Sequence, residues 1–269
     1  MNAITKFKRH YVASEILSPT NAVAVNLIGC GGTGSRVLRE LAVIHHALRT
    51  FQHPGLQVRV FDSDQVSEAN IGRGFSPAEV RLHKAPLLAS RINREYGTNW
   101  KGVPMDFCMS NLVRIEKYSA AAITIGCVDQ VSSRFEIAAI LQQVQQAARH
   151  DRDRPYYYMD FGNSRATGQV ILSTIGDVEQ PVSTRYETVA SIPLLTDEFG
   201  DLLKSSGQQD DTPSCSLPQA LEKQDLFINP ALAVLGKSLL WKMFRKGNIN
   251  IRGFFLDLEN FRLQPLLVE

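Results

Sequence analysis

The chain has 269 residues, of which 44% are hydrophobic and 21% charged, and its 29 Lys and Arg against 27 Asp and Glu give a formal net charge of +2. This balance argues against a polybasic nucleic-acid surface or an acidic tail. No apolar run approaches the roughly 18 residues that cross a bilayer, and the N-terminus lacks the apolar region of a signal peptide. The four cysteines form no C-x-x-C pair, which excludes a disulfide-dense scaffold and a structural zinc signature. We therefore expect a soluble cytoplasmic protein without a nucleic-acid or membrane partner.

From residue 22 to residue 176, short runs rich in Val and Ile alternate with longer stretches of helical period. The expected strands are Ala22–Ile28, Gln57–Phe61, Ala121–Val128, Pro155–Phe161 and Gly168–Ile175. The expected helices are Ser35–Arg49, Pro77–Tyr96 and Ser132–His150. Because strands that alternate with helices form βαβ crossovers, this pattern predicts a Rossmann-like, doubly wound α/β fold with a mainly parallel sheet.

The pattern changes after residue 176. Residues 177–225 hold four prolines, a polar run and only short apolar pieces, which predicts a long crossover loop that is either disordered or functional. A helix is expected over Pro230–Lys246, with Gly247 just beyond its end as a boundary residue. Two strands, Ile249–Leu258 and Phe261–Leu267, are expected to close the fold as an antiparallel pair.

A glycine-rich segment lies between the first expected strand and the first expected helix. It contains the pattern G-x-G-x-x-G, and its glycines are Gly29, Gly31, Gly32 and Gly34. Glycines allow tight backbone geometry, so that main-chain N–H groups and a helix N-terminus can face a phosphate. Asp62 ends the next strand, where an acid can accept hydrogen bonds from ribose hydroxyls. The glycines could instead serve only helix packing, but the order of strand, loop, helix, strand and acid favours a nucleotide site, with NAD, FAD, ATP and S-adenosylmethionine all open.

Polar residues downstream favour a triphosphate over a redox cofactor. Asp64 is followed by Asn70 and Arg73, and then by Lys84 within the second expected helix. Arg and Lys neutralise the charge that develops on a leaving pyrophosphate. Asp129 follows the expected strand Ala121–Val128, where its carboxylate could hold Mg²⁺. Each residue alone also has a structural explanation: a turn for the Asn, solvated charges for the Arg and Lys, and a helix N-cap for the Asp.

The segments GCGGTGS, VFDSDQVSEANIGRGF, HKAPLLASRIN and IGCVDQVSSRFE together resemble the ThiF/MoeB/ubiquitin-activating-enzyme superfamily. In that family the glycine loop is followed by D-x-D, N-x-x-R, a helix Lys and a strand-end Asp-Asn. The likeness covers almost the whole chain, including Gly168-Gln169 and the late helix. The stretch 211–229, DTPSCSLPQALEKQDLFIN, makes the chain most similar to the ThiF-like proteins of plasmid-borne PRTRC gene systems.

This resemblance implies a single ThiF-like adenylation domain over residues 1–269. Its parts are an N-terminal segment (1–21), a nucleotide-binding core (22–176), the crossover loop (177–225) and a C-terminal helix with strands (226–269). Such enzymes bind MgATP and the Gly-terminated tail of a small ubiquitin-like or sulfur-carrier-like protein, and form an acyl-adenylate with release of pyrophosphate. The resemblance also suggests a homodimer. The sequence does not name the carrier protein or the final acyl acceptor.

Carried over residue by residue, the resemblance gives each part of the site a role. The four glycines would bind the phosphates, Asp62 the ribose, and Asp129 would coordinate Mg²⁺. The residues that would hold the rest of the nucleotide are Asp64, Asn70, Arg73 and Lys84, with Arg73, Lys84 and Asp129 acting in catalysis. In-line attack on the α-phosphate needs cations and a metal around the leaving group, and little proton transfer by the protein.

Three positions need separate comment. Many relatives bind zinc through two C-x-x-C pairs, and none occurs here, so no zinc is expected. Gln130 replaces the family Asn after the metal-binding Asp, which lengthens the reach of the amide. Arg9 is the candidate for the N-terminal arginine that often completes the partner subunit's site, and a solvated basic cluster explains it equally well.

Cys215 is the candidate nucleophile for transfer of the activated acyl group. It lies in the expected crossover loop, where a mobile thiol can reach an acyl-adenylate, and ThiF-like proteins carry a functional Cys at this point, although some relatives adenylate without one. Cys30 is the alternative, because a helix N-terminus lowers a thiol pKa, whereas Cys108 and Cys127 are expected to be structural.

Two other functions compete with adenylation on the same scaffold. An NAD-dependent oxidoreductase needs a His, Lys or Tyr facing a hydride site, and no residue of the sequence suggests one. A non-catalytic scaffold would not require Arg73, Lys84 and Asp129 together.

Overall fold

An eight-stranded sheet forms the centre of the protein in the computed structural model, which describes residues 7–72, 74–148, 154–206 and 224–269. Its parallel strands are β2 (Val23–Ile28), β3 (Leu56–Phe61), β4 (Lys101–Val103), β5 (Ile123–Gly126) and β6 (Tyr157–Asn163). Its antiparallel strands are β7 (Thr167–Thr174), β10 (Ile251–Asp257) and β11 (Arg262–Leu267). The order across the sheet is β11-β10-β7-β6-β5-β2-β3-β4.

Helices cover both faces of this sheet. The longer ones are α2 (Gly32–Thr50), α3 (Lys84–Tyr96), α4 (Leu112–Ser119), α5 (Val131–Ala147) and α8 (Ile228–Lys246), and the short ones are α1 (Ser14–Leu17), α6 (Leu195–Glu198) and α7 (Gly200–Ser206). Single 3₁₀ turns occupy Glu68–Asn70, Pro77–Glu79 and Met109–Asn111. The predicted doubly wound, mainly parallel fold with antiparallel C-terminal strands is confirmed. None of the described helices is long and apolar enough to cross a bilayer.

The side chains of β6 point alternately into the two halves of the core, one on each face of the sheet. Tyr157, Met159 and Phe161 pack into the cluster that contains α2, α3 and α8. Tyr158 faces the opposite way and packs with α4 and α5. Because successive side chains of a strand point to opposite faces, a central strand buried on both sides is apolar almost throughout, as β6 is.

A second, three-stranded sheet lies at the amino end of β6. It consists of β8 (Glu187–Thr188), β1 (Lys8–Tyr11) and β9 (Asn248–Ile249). His10 of β1 is fully buried, with Nδ1 2.7 Å from the Val189 carbonyl oxygen and Nε2 2.8 Å from the Tyr157 hydroxyl. The same hydroxyl accepts a hydrogen bond from Ala13 N–H at 3.1 Å. These contacts fasten the N-terminal strand to the main sheet.

Several elements differ from those that the sequence predicts. The helix expected over Pro77–Tyr96 begins only at Lys84, because the chain before it forms a 3₁₀ turn and is then tied to Val66: Val66 N–H donates to Leu82 O at 2.9 Å and Arg81 N–H donates to Val66 O at 2.9 Å. The sequence also does not reveal β1, β4 or α4. The described part of the expected crossover loop contains β8, α6 and α7, and residues 207–223 lie outside the described residues.

The burial of His10 predicts a pH dependence of stability. Burial lowers the pKa of His10 below its ordinary value of 6.5, and the Val189 carbonyl opposes this only in part. The unfolded chain therefore binds a proton at a higher pH than the folded protein does, so this contribution to stability is complete above pH 6.5 and is lost as pH falls toward the folded pKa. The free energy of unfolding should fall with a slope of up to about 1.4 kcal/mol per pH unit for this one proton.

Urea unfolding at several pH values between 5 and 8 measures this slope. His10→Asn should be less stable than wild type at pH 7.5 but should lose less stability on acidification. His46→Asn, at an exposed ring of α2, is the control and should retain the wild-type slope. An unchanged slope in His10→Asn would show that this ring is not responsible.

Candidate functional site

The turn from β2 into α2 depends on two glycines. Gly29 has φ +89°, and a Cβ atom there would lie 2.6 Å from the Cys127 carbonyl oxygen. A Cβ atom at Gly34 would overlap the Gly29 carbonyl oxygen. Both positions therefore need glycine for the backbone to turn this tightly, whatever binds in the loop.

Gly31 has a different environment from the other loop glycines. No protein atom lies within 4 Å of a Cβ position built on it, so the space beside its backbone is open. Gly31 is the N-cap residue of α2 and no side chain caps the helix there. Because the first N–H groups of a helix have no intrahelical acceptor, this open helix start is suited to an anion.

Asp62, which follows the neighbouring strand, is hydrogen-bonded to the glycine loop. It follows β3, and its Oδ2 accepts a hydrogen bond from Cys30 N–H at 2.6 Å while its Oδ1 accepts from Asp64 N–H at 2.9 Å. Burial raises the pKa of Asp62, and the nearby charge of Lys84 and the two N–H donors lower it part of the way back. The carboxylate is thus held at the carboxyl edge of the sheet, directly beside the glycine loop.

Lys84 occupies an unusual position for a lysine. It is the first residue of α3, is only 7% exposed, and forms an ion pair between Nζ and Asp64 Oδ2 at 2.7 Å. A cation at a helix N-terminus opposes the helix dipole, so the helix itself does not favour this residue. The Asp64 carboxylate is mostly exposed, and the ion pair lies at the edge where Asp62 also lies. The ammonium charge of Lys84 is thus held near the Asp62 carboxylate.

The next two predicted residues are only partly described. The Asn70 Oδ1 accepts from Ser67 N–H at 3.0 Å and from the Ser67 hydroxyl at 3.1 Å, so its side chain also makes the turn that the sequence suggested. Arg73 lies outside the described residues. The backbone beyond it is fixed by Arg91, whose Nη1 donates to Gly74 O at 2.8 Å.

Asp129 is exposed just beyond β5. Helix α5 begins at Val131 with Gln130 as its N-cap residue, so Asp129 does not cap this helix. Its carboxylate makes no hydrogen bond or ion pair with any described residue. The turn that carries Asp129 is held in place because Arg134, in α5, donates a hydrogen bond from Nη2 to the Val128 carbonyl oxygen at 2.8 Å. Asp129 therefore has an exposed carboxylate on a fixed backbone, near the charge of Arg134 and without a hydrogen-bond partner among the described residues.

A buried charge network beneath this turn is not apparent from sequence reasoning. Asp160, in the middle of β6, is fully buried and forms an ion pair with Arg134, while the Tyr158 hydroxyl donates to its Oδ1 at 3.0 Å. Burial raises the pKa of Asp160, and the Arg134 charge offsets part of that shift. The signal in the sequence is an acid inside the apolar run YYYMDF.

The described cysteines do not resemble activated thiols. Burial raises the pKa of Cys30 well above its ordinary value, which contradicts the expectation that the helix N-terminus lowers it, and burial also raises the pKa of Cys127. Cys108 is half-buried, with Sγ 3.1 Å from Ser110 Oγ. Cys215 lies outside the described residues, so its role as nucleophile stays a prediction.

Arg9 belongs to the small sheet at the amino end of β6, whereas the glycine loop lies at the carboxyl end of β2. Its Nη1 donates to Asn248 Oδ1 at 2.6 Å, and its guanidinium lies 4.4 Å from the centroid of the Tyr186 ring. Within one chain it therefore packs against the small sheet and is remote from Asp62. Its action on a second copy of the chain stays a prediction.

Gly34 and Gly31 have different surroundings, so we expect their replacement to affect stability differently. Gly34→Ala should lower the free energy of unfolding by about 1–3 kcal/mol or more, because the new methyl group overlaps backbone that cannot move aside. Gly31→Ala should change it by less than about 1 kcal/mol, since the space is open. Urea unfolding measures both, and equal stability of the two variants would contradict this account of the turn.

Comparison with known proteins identifies the family. The sequence profile of the ThiF family matches residues 12–239. No curated protein sequence gives a significant match. Among solved structures, selenomethionine PaaA is similar with a TM-score of 0.57 and 15% sequence identity, over 91% of this chain and 64% of that chain.

Escherichia coli MccB in complex with ATP is similar with a TM-score of 0.56 and 15% identity, over 94% of this chain and 65% of that chain. MccB with AMPCPP and selenomethionine MccA gives a TM-score of 0.55 and 15% identity, over 91% of this chain and 64% of that chain. The chain thus spans slightly less than two thirds of the length of these structures, and the similarity is one of fold. Because the family profile covers most of the sequence, the chain belongs to the ThiF family.

Proposed function

We propose that the protein is an ATP-dependent adenylating enzyme that activates a carboxylate on a small protein or peptide. One observation carries the proposal: the open start of α2, the held carboxylate of Asp62 and the buried Lys84 converge at the carboxyl edge of a parallel sheet. Ligands of open α/β folds bind at this edge. Membership of the ThiF family and the similarity to ATP-bound MccB support the same conclusion.

The geometry is suited to ATP in three ways. The space beside Gly31 admits a phosphate close to the backbone, and the first N–H groups of α2 are available as donors. Asp62 retains unused lone pairs on both carboxylate oxygens, with which it can accept ribose hydroxyls. Lys84 supplies a positive charge, which a triphosphate needs and a hydride-transfer cofactor does not.

Asp129 is the residue that would hold Mg²⁺. The described residues contain no group of three His, Cys, Asp or Glu side chains arranged to bind a metal ion. Mg²⁺ in nucleotide sites is commonly bound by one or two carboxylates together with phosphate oxygens and water, so a single exposed carboxylate is chemically sufficient. When bound, the ion would offset negative charge on the phosphates.

The reaction requires little acid–base chemistry from the protein. A carboxylate oxygen of the substrate forms a bond to the α-phosphorus of ATP, the bond from that phosphorus to the bridging oxygen breaks, and pyrophosphate leaves with the electron pair. The products are an acyl-adenylate and pyrophosphate. The residues of this chain bind and align the two reactants, and Lys84 stabilises charge on the departing group.

The finer assignments extend this proposal. The carboxylate donor we propose is the Gly-terminated tail of a ubiquitin-like or sulfur-carrier-like protein, and the complex of MccB with MccA supports an enzyme of this fold acting together with a second polypeptide. The kinship with PRTRC-system proteins, a homodimer, and transfer of the acyl group to Cys215 are further parts of the proposal. They rest on the sequence resemblance.

The function is tested first by calorimetric titration with ATP and with NAD in the presence of Mg²⁺. ATP should bind and NAD should not. Lys84→Gln should reduce ATP–pyrophosphate exchange, measured with the carrier protein, by about 10²-fold, the usual effect of removing one group that stabilises developing charge. Lys8→Gln, at an exposed lysine of β1, is the matched control and should exchange at the wild-type rate.

Binding of NAD instead of ATP would replace the proposal with the oxidoreductase, and ATP binding without exchange would favour a non-catalytic scaffold. Full exchange activity in Lys84→Gln would remove this lysine from the site while leaving the enzyme class intact.

Asp129→Asn should keep the fold but lose the dependence on Mg²⁺, because an amide is a much weaker ligand for this ion than a carboxylate. In wild type, Mg²⁺ should tighten ATP binding measured by calorimetry relative to the same titration in EDTA. The variant should bind ATP alike in both buffers, and its exchange rate should fall by about 10²-fold.

The matched control is Asp177→Asn, an exposed aspartate at the amino edge of the sheet, and it should behave as wild type. Preserved Mg²⁺ dependence in Asp129→Asn would move the metal site to other residues.

A further inference from the structure

Asn229 lies in the first turn of α8, but its side chain does not cap that helix. The helix begins at Ile228 with Phe227 as its N-cap residue, so Asn229 is not the cap. It is only 4% exposed. A buried amide needs partners for both its oxygen and its nitrogen, because an unpaired buried polar group costs free energy. Here the partners come from other segments of the chain.

The Asn229 amide joins three segments at the carboxyl edge of the sheet. Its Oδ1 accepts from Thr33 Oγ1 at 2.7 Å and from Asn163 Nδ2 at 3.1 Å. Its Nδ2 donates to Gln224 Oε1 at 2.9 Å. Thr33 belongs to the first turn of α2, and Asn163 ends β6. One side chain thereby fixes the starts of two helices and the end of a strand relative to one another.

The same amide lies against the backbone of the glycine loop. A Cβ atom at Gly32 would be 2.6 Å from Asn229 Nδ2 and 3.1 Å from its Cγ, so the Asn229 amide, which three hydrogen bonds hold in place, would have to shift to admit one. Gly32 follows Gly31, beside which the open space lies. The contact therefore supports the loop at the residue next to that open position.

The orientation of this first turn matters for an anion. The first helical hydrogen bond of α2 runs from Ser35 N–H to Gly31 O at 3.1 Å, and among the described residues none accepts from the N–H groups of Gly31, Gly32 or Thr33. The strength of hydrogen bonds from such groups depends steeply on distance and angle. A small rotation of the turn would therefore weaken all of them together.

We propose that Asn229 is a positioning residue, which acts through Thr33 and Gly32 to hold the first turn of α2 in the orientation that binds the phosphates of ATP. The identity of the ligand rests on the proposed function. The positioning of the turn does not, because it follows from contacts within the protein itself.

The test compares Asn229→Ala with Asn93→Ala. Asn93, in α3, is a half-buried asparagine that also makes three hydrogen bonds, to Trp100 O, Trp100 N–H and the Thr98 hydroxyl, remote from the glycine loop. Both variants should lower the melting temperature. Only Asn229→Ala should weaken ATP binding in calorimetry, by about tenfold, the effect expected for a lost hydrogen-bond network.

Hydrogen exchange without nucleotide supplies the second readout. The amides of residues 35–38, at the start of α2, should exchange faster in Asn229→Ala than in wild type, and at the wild-type rate in Asn93→Ala. If Asn229→Ala does not fold, Thr33→Val removes the hydroxyl donor at constant size and should give the same two effects. Thr33→Ser retains the hydroxyl and should rescue them.

The outcomes separate the two proposals. Wild-type ATP affinity in Asn229→Ala, or unchanged exchange at residues 35–38, overturns the positioning role. If wild type binds no ATP, the proposed function fails, and the exchange experiment alone still decides whether Asn229 orients the turn. Equal loss of ATP affinity in Asn93→Ala would show a general effect of instability and would also overturn the proposal.

Discussion

The tight turn between β2 and α2 is the constraint on which the rest of the site depends. Gly29 donates its N–H to the Phe61 carbonyl at 2.8 Å and lies against the backbone of Cys127, while Gly34 lies against the Gly29 carbonyl. These are contacts of backbone with backbone, which no change of side-chain rotamer can relax. They hold the ends of β2, β3 and β5 and the start of α2 in one rigid arrangement. The side chains that follow those strands therefore converge without needing contacts among themselves.

The charges at this edge divide into two groups by their surroundings. Arg134 and Asp160 are buried and paired with each other, so the loss of either one would leave the other charge buried without compensation. Lys84 is buried and pairs with the mostly exposed carboxylate of Asp64, while Asp129 is exposed and makes no hydrogen bond or ion pair with a described residue. The first group fixes the backbone, and the second is the group that we propose binds the ligand. This division is what distinguishes a binding edge from an ordinary network of surface charges.

Much of the fold and part of the site can be predicted from the sequence because both follow from local patterns. The glycine spacing, the strand-end position of Asp62 and the order that leads to Lys84 depend on short segments with strong preferences. The Arg134–Asp160 pair and the Asn229 amide depend on which segments meet in space, and no spacing reveals that. The late start of α3 has the same cause, since hydrogen bonds with the distant Val66 override the local helical pattern. The raised pKa of Cys30 reflects burial, which outweighs the expected effect of the helix N-terminus.

The pairing of β1 with a strand far along the chain has a consequence for how the protein folds. β1 pairs with β9, and Arg9 and Asn248 are hydrogen-bonded across a sequence separation of 239 residues. During synthesis, the central parallel strands can associate before this pairing is possible, because β9 is made after all of them. Until then His10 and the hydroxyl of Tyr157 lack their final surroundings, and the amino edge of the sheet is incomplete. Contacts between such remote segments slow folding, so the pairing of β1 with β9 adds a late-made segment to parallel strands that can already have associated.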